Sequence, residues 1–131
     1  VVFGGNITSR ILIVDDHEVV RMGVRLLLAA DPRWEVCGEA LNGRDAIEKV
    51  VDLEPDVVIL DLTMPVLNGF EAAKAIRKAA PRAKIVFFSI HDTPTTARVV
   101  GADAFVAKSS AARDLPATLE RLFPSDSAAH A

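Results

Sequence analysis

The chain has 131 residues, with 15 Lys plus Arg against 18 Asp plus Glu for a formal charge of −3, half of them apolar and a quarter charged. That composition builds one globular core and excludes disorder over most of the length. No apolar run approaches the roughly 18–20 residues of a membrane span, no cationic leader precedes a small-residue cleavage site, and no Lys/Arg stripe marks a nucleic-acid surface. A cytoplasmic location is expected, with no membrane contact and no direct nucleic-acid binding by this domain.

Short β-branched runs alternate with helical patterns in five rounds, the signature of βαβ units and a parallel sheet. Residues 1–9 read as a flexible N-terminal tail, residues 10–123 as the ordered domain and residues 124–131 as a frayed C-terminal tail. The first strand is Ile11 to Val14. A helix follows from about Glu18 to Ala30, with Val20, Val24, Leu27 and Leu28 on its apolar side and Arg21 and Arg25 on a face expected to be solvated. Asp31 and Pro32 stop it. Trp34 to Ala40 reads as a second strand at a sheet edge, because Glu35 and Glu39 interrupt it. The single cysteine, Cys37, has no disulfide or zinc partner and is expected to be a small buried hydrophobe. Asn42 caps a second helix to about Leu53, and Pro55 closes it.

Val57 to Leu60 is a continuous apolar run, as in a strand buried on both faces. It ends at Asp61. The loop from Leu62 to Asn68 leads to a third helix, Phe70 to Ala79, terminated by Pro81. Lys84 to Ser89 is the fourth strand, His91 to Val100 a short fourth helix ended by Gly101, Ala104 to Ala107 the fifth strand, and Arg113 to Leu122 the fifth helix.

In an open α/β sheet, ligands bind beyond the carboxyl ends of the strands. Here those ends carry Asp15 and Asp16, then Asp61, Ser89 and Lys108. Three carboxylates in one crevice repel unless neutralised, and an oxygen-only donor set suits a hard cation such as Mg2+. With Lys108 opposite them, three carboxylates and one Mg2+ sum to about zero charge.

These residues in this order resemble the receiver domain of two-component response regulators. The resemblance runs from Ile11 to Leu122 and rests on Asp15 and Asp16, on Asp61 followed by Leu62, Thr63, Met64 and Pro65 with Asn68 and Gly69 beyond, on Ser89, and on Lys108 preceded by Phe105. The stretches Asp16-His17-Glu18, Arg21-Met22-Gly23 and Ser89-Ile90-His91-Asp92 are similar to the subgroup that usually carries a C-terminal helix-turn-helix of the LuxR/NarL type. The resemblance implies a doubly wound, flavodoxin-like (βα)5 fold with strand order 2-1-3-4-5. It further implies that Asp61 accepts a phosphoryl group from a sensor histidine kinase, making the domain a self-phosphorylating switch rather than a conventional enzyme. Asp15, Asp16, Asp61 and the backbone carbonyl of Thr63 would hold Mg2+; Lys108 and Ser89 would engage the phosphoryl oxygens. Phe105 would change rotamer with Ser89, and Thr63 and His91 would tune the lifetime of the acyl phosphate. A homodimer on phosphorylation is a further implied partner, and transcription regulation through a DNA-binding domain absent from this chain the implied output.

One spacing departs from the family pattern. Ser89 lies an ordinary 28 positions after Asp61, but Lys108 follows Ser89 by 19, about three residues short, close to one helical turn. A shortened fourth helix is the expected result, or a segment that orders only on activation or docking. Simpler readings stand beside these: Asp15 and Asp16 as a helix cap, Phe105 as plain core, His91 as an exposed loop residue. Two alternatives of function also stand, a stand-alone receiver acting through protein contacts and an aspartyl-phosphate phosphohydrolase. The second needs an acid two residues after its nucleophile, and here that residue is Thr63.

Overall fold

Apolar residues on both sides of the central strands require helices on both sheet faces, and this is how the chain folds. The computed structural model describes residues 8–64, 67–90 and 101–124. Within them run β1 (Ser9–Val14), α1 (Glu18–Leu28), β2 (Trp34–Ala40), α2 (Gly43–Leu53), β3 (Val57–Asp61), α3 (Gly69–Ala79), β4 (Lys84–Ser89), β5 (Ala104–Ala107), a 3-10 turn (Lys108–Ser110) and α4 (Ala111–Leu122). The five strands pair in parallel in the order β2-β1-β3-β4-β5, the doubly wound arrangement expected from the sequence. The fourth helix expected over His91 to Val100 lies outside the described residues.

Strand alternation sends Leu12, Val14, Val58, Leu60, Ile85 and Phe87 to the face covered by α2 and α3. Ile11, Ile13, Val57, Ile59, Val86, Phe88 and Val106 meet α1 and α4 on the other. Phe87 anchors the first layer, edge-on to Phe70 with ring centroids 5.5 Å apart, a contact worth roughly 0.5–1.5 kcal/mol beyond its burial. Asn42 and Asn68 accept from the backbone N–H of Asp45 and Glu71 at 2.9 and 3.0 Å, and each such cap contributes about 1 kcal/mol. No helix among the described residues is long and apolar enough to cross a membrane.

Several boundaries differ from those the pattern predicts. β1 starts at Ser9, inside the stretch read as a tail, because Ser9 N–H donates to Arg33 O at 2.8 Å and Ser9 pairs with Trp34. Helix α1 ends at Leu28 rather than Ala30. Asp31 N–H donates back to Leu28 O while the Asp31 carboxylate accepts from Arg33 N–H, tightening the turn that delivers Trp34. The last helix begins two residues early, directly after the 3-10 turn at Lys108. Cys37 is half-buried rather than core. The register passes from Ile11 opposite Val36 to Leu12 opposite Gly38, so Cys37 is the extra residue of a β-bulge.

Arg21 and Arg25 are the clearest reversal. Their face of α1 turns to β2 instead of water. Arg21 Nε donates to Glu39 Oε1 at 2.8 Å, Arg25 Nη1 reaches Glu39 Oε2, and Arg21 is buried.

Gly23, in the middle of α1, has no structural need to be glycine. A Cβ built there meets nothing within 4 Å. Gly23→Ala is expected to stabilise the fold by roughly 0.5–1 kcal/mol through helix propensity and reduced unfolded-state entropy, read as a higher midpoint in urea at unchanged slope.

Candidate functional site

β1 carries Asp15 directly off its last apolar residue, and β3 ends in Asp61, so sheet pairing alone places the two carboxylates side by side at the carboxyl edge. Both are buried, at 1% and 3% exposure. Lys108, the first residue after β5, lies across them, its Nζ 2.7 Å from Asp15 Oδ2 and 3.6 Å from Asp61 Oδ2. The same ammonium sits 5.7 Å over the Phe88 ring. β5 is brought into register by Arg77, which donates to the carbonyls of Ala83 and Gly101 and to Asp103 at 2.9 Å each. Asp103 in turn accepts from Ile85 N–H at 2.8 Å.

Asp16 is the more open carboxylate. Between it and Asp15 stands His17, which the sequence reading left out of the site. Its backbone N–H donates to Asp15 Oδ1 at 2.9 Å, and its Nδ1 lies 3.2 Å from Asp15 Oδ1 and 3.1 Å from Asp16 Oδ1. Position was the available signal, since the residue after an acidic pair at a helix N-cap has its N–H aimed back at the first carboxylate. Arg21 also belongs here, through a 2.7 Å donation from Nη1 to the Asp15 carbonyl.

Burial raises the Asp61 pKa above its ordinary value; the Thr63 N–H at 3.1 Å on Oδ1 and Lys108 oppose that shift, and the charges of Asp15 and Asp16 reinforce it. Ligand atoms of Asp15, Asp16, His17 and Asp61 all lie within 4.8 Å of one another. Three carboxylates facing one lysine leave a charge of about −2, which a divalent cation cancels. The donor set therefore fits Mg2+ through its carboxylate oxygens, the imidazole being a poor ligand for so hard an ion.

Of the other expected site residues, Ser89 is 2% exposed at the end of β4, opposite Ala107. Thr63 is exposed, just beyond Asp61. Phe105 is half-buried against the layer under α2 and α3. His91 lies outside the described residues.

A doubly wound parallel sheet with a buried acidic crevice and one lysine at its carboxyl edge defines a receiver-type module. Residues 11–120 match the response regulator receiver domain, and the chain belongs to that family. It is 34% identical over 121 residues to the response regulator protein VraR of Staphylococcus saprophyticus, covering 90% of this chain and 58% of VraR. To the nitrate/nitrite response regulator protein NarL of Escherichia coli it is 38% identical over 110 residues, covering 82% of this chain and 51% of NarL. The crystal structure of a two-component response regulator of the LuxR family from Aurantimonas superposes with a TM-score of 0.82 at 36% identity, over 88% of this chain and 84% of that one. The chain thus spans little more than half the length of these two curated relatives.

Proposed function

We propose that this domain is a phosphoacceptor switch in which Asp61 takes a phosphoryl group from the phosphohistidine of a sensor kinase. The observation that carries the reading is the buried Asp61 carboxylate, 3.6 Å from Lys108 and grouped with Asp15 and Asp16 at the carboxyl edge. An Asp61 carboxylate oxygen attacks phosphorus, the phosphorus–nitrogen bond breaks, and the leaving imidazole takes up a proton. Mg2+, held by Asp15, Asp16, Asp61 and the Thr63 carbonyl, would offset the charge on the transferred oxygens. Lys108 follows the new phosphoryl group, exchanging its longer contact with Asp61 for a phosphoryl oxygen while Asp15 keeps its 2.7 Å hold. The Ser89 hydroxyl engages another oxygen, and Phe105 adjusts its rotamer with the loop after β4. Because a −1 carboxylate becomes a roughly −2 acyl phosphate, the switch is a small electrostatic bias on a bistable loop. In this reading the domain promotes its own modification and is not an enzyme acting on a separate substrate.

For output we favour transcription regulation through a DNA-binding domain outside this chain, with homodimerisation on phosphorylation. The likeness to a LuxR-family regulator and the greater length of VraR and NarL support it. The test of the core reading is incubation with acetyl phosphate and Mg2+ followed by intact mass measurement. Gain of one base-labile phosphoryl group, blocked by EDTA, is expected; an unmodified chain defeats the reading.

Thr63 is exposed beside Asp61, and its side chain tunes access of water to the acyl phosphate. Replacing it by Ala is expected to change the phosphoryl lifetime severalfold, equivalent to about 1 kcal/mol in the hydrolysis barrier, with the rate of formation nearly unchanged. Phosphate release after removal of donor checks this. We propose the same role for His91.

A further inference from the structure

Arg21 is a charged side chain nine-tenths buried, and a guanidinium is taken out of water at a cost of several kcal/mol unless its donors are used. Two of them are. Nη1 donates to the backbone carbonyl of Asp15 at 2.7 Å, and Nε donates to Glu39 Oε1 at 2.8 Å. Glu39 is itself held from a second side by Arg25, while Lys49 of α2 donates to the Glu39 carbonyl. One network thus ties α1, β2 and α2 to a single peptide carbonyl at the head of the acidic crevice.

That carbonyl belongs to the peptide joining Asp15 to Asp16. Its two ends are secured differently. Asp15 is fixed by its N–H to Ala40 O, by Lys108 and by His17. The Asp16 carboxylate is partly exposed and, among the described residues, its side chain forms an ion-pair contact with His17 alone. The direction of Asp16 therefore depends on the plane of the Asp15–Asp16 peptide, and Arg21 is the group that pins that plane.

We propose that Arg21 is a positioning residue for the divalent-cation site, aligning Asp16 with Asp15 and Asp61 by gripping the Asp15 carbonyl from a fork braced on Glu39. The inference rests on the reading of this crevice as a Mg2+ site. Position and charge make opposite predictions, which gives the test its force. As a bare positive charge, Arg21 repels a cation, so its removal tightens binding. As a positioning residue, its removal loosens binding, and outer groups that orient metal ligands typically change affinity about 10- to 100-fold.

The experiment is a titration of the unphosphorylated protein with Mg2+ alone, followed by amide resonances in 1H–15N spectra at constant ionic strength. The parent, Arg21→Met and Arg21→Lys are compared. The expected result is a dissociation constant raised about tenfold in Arg21→Met, and raised to a smaller degree in Arg21→Lys, which keeps the charge and loses the fork. An unchanged or lowered constant in a folded Arg21→Met overturns the inference. If Arg21→Met does not give a dispersed spectrum, Arg21→Lys decides, and affinity equal to the parent overturns it. A parent that shows no saturable shift at Asp15, Asp16 or Asp61 defeats the Mg2+ reading and this inference together, whereas a binding parent with unaffected variants defeats the inference alone.

Discussion

Asp61→Asn is expected to lose phosphoryl acceptance completely while making the metal-free fold more stable. The loss follows from chemistry, since an amide oxygen neither attacks phosphorus competently nor leaves an acyl phosphate behind. The gain follows from burial. Asp61 is 3% exposed, with Asp15 and Asp16 nearby and Lys108 shared between Asp15 and Asp61, so its ionised form is disfavoured in the fold. Asparagine keeps the shape and can still accept from Thr63 N–H without the charge. An increase of about 1–2 kcal/mol at neutral pH is expected.

The pH dependence of that increase has a definite sign. Burial lifts the Asp61 pKa above the ordinary 3.8, so between that value and its raised folded value the native state binds more protons than the unfolded chain. Stability of the parent therefore falls as pH rises through that window. Below 3.8 the side chain is protonated in both states and the advantage of Asn vanishes. Above the raised folded value the difference is full. Added Mg2+ narrows it, because a cation that binds only the folded parent stabilises it by mass action. Parallel denaturation of parent and variant across pH, with and without Mg2+, checks all three statements. A variant less stable than the metal-free parent at pH 7 contradicts the account.

Gly69→Ala is expected to cost about 3 kcal/mol and to slow phosphorylation of whatever remains folded. A Cβ on Gly69 would lie 2.5 Å from the Asp61 carbonyl oxygen and 2.6 Å from Leu62 Cα. Both obstacles are backbone, and neither can swing aside as a side-chain tip can. Gly69 N–H also donates to Leu62 O at 3.1 Å, and Asn68 caps the helix that Gly69 begins. Relief of the clash must therefore push α3 away from the end of β3 or displace the peptide that carries Asp61. Urea denaturation measures the first effect and the acetyl phosphate rate the second. The contrast with Gly23→Ala, a stabilising change to the same residue type, isolates close approach of backbone as the cause.

Much of the fold was legible in order along the chain. Val57 to Leu60 is apolar throughout because β3 is covered on both faces, and Glu35 and Glu39 mark β2 as an edge. Asn42 reads as a cap and is one. The positions of Asp15, Asp16, Asp61, Ser89 and Lys108 were legible in the same way, because each stands at or just beyond a strand end, where the topology of a doubly wound sheet delivers it, whereas Phe105 lies within β5. The misreadings share a different cause. Helical periodicity places Arg21 and Arg25 together on one face of α1, yet says nothing about Glu39, which lies 18 residues from Arg21. Cys37 looks like core until the register across β1 slips by one and leaves it at a bulge.

By itself the sequence determined the alternation of strands and helices, the two-sided burial of the sheet and the grouping of Asp15, Asp16, Asp61, Ser89 and Lys108 at one edge. Those follow from the period of hydrophobic residues and from which residue type ends each strand, properties local to a few positions. Tertiary structure alone decided that a buried arginine grips the Asp15 carbonyl, that His17 stands between two carboxylates, and that Gly69 can carry no side chain. Each of these depends on a distance of a few ångströms between groups brought together by folding, and the pattern along the chain does not set such distances.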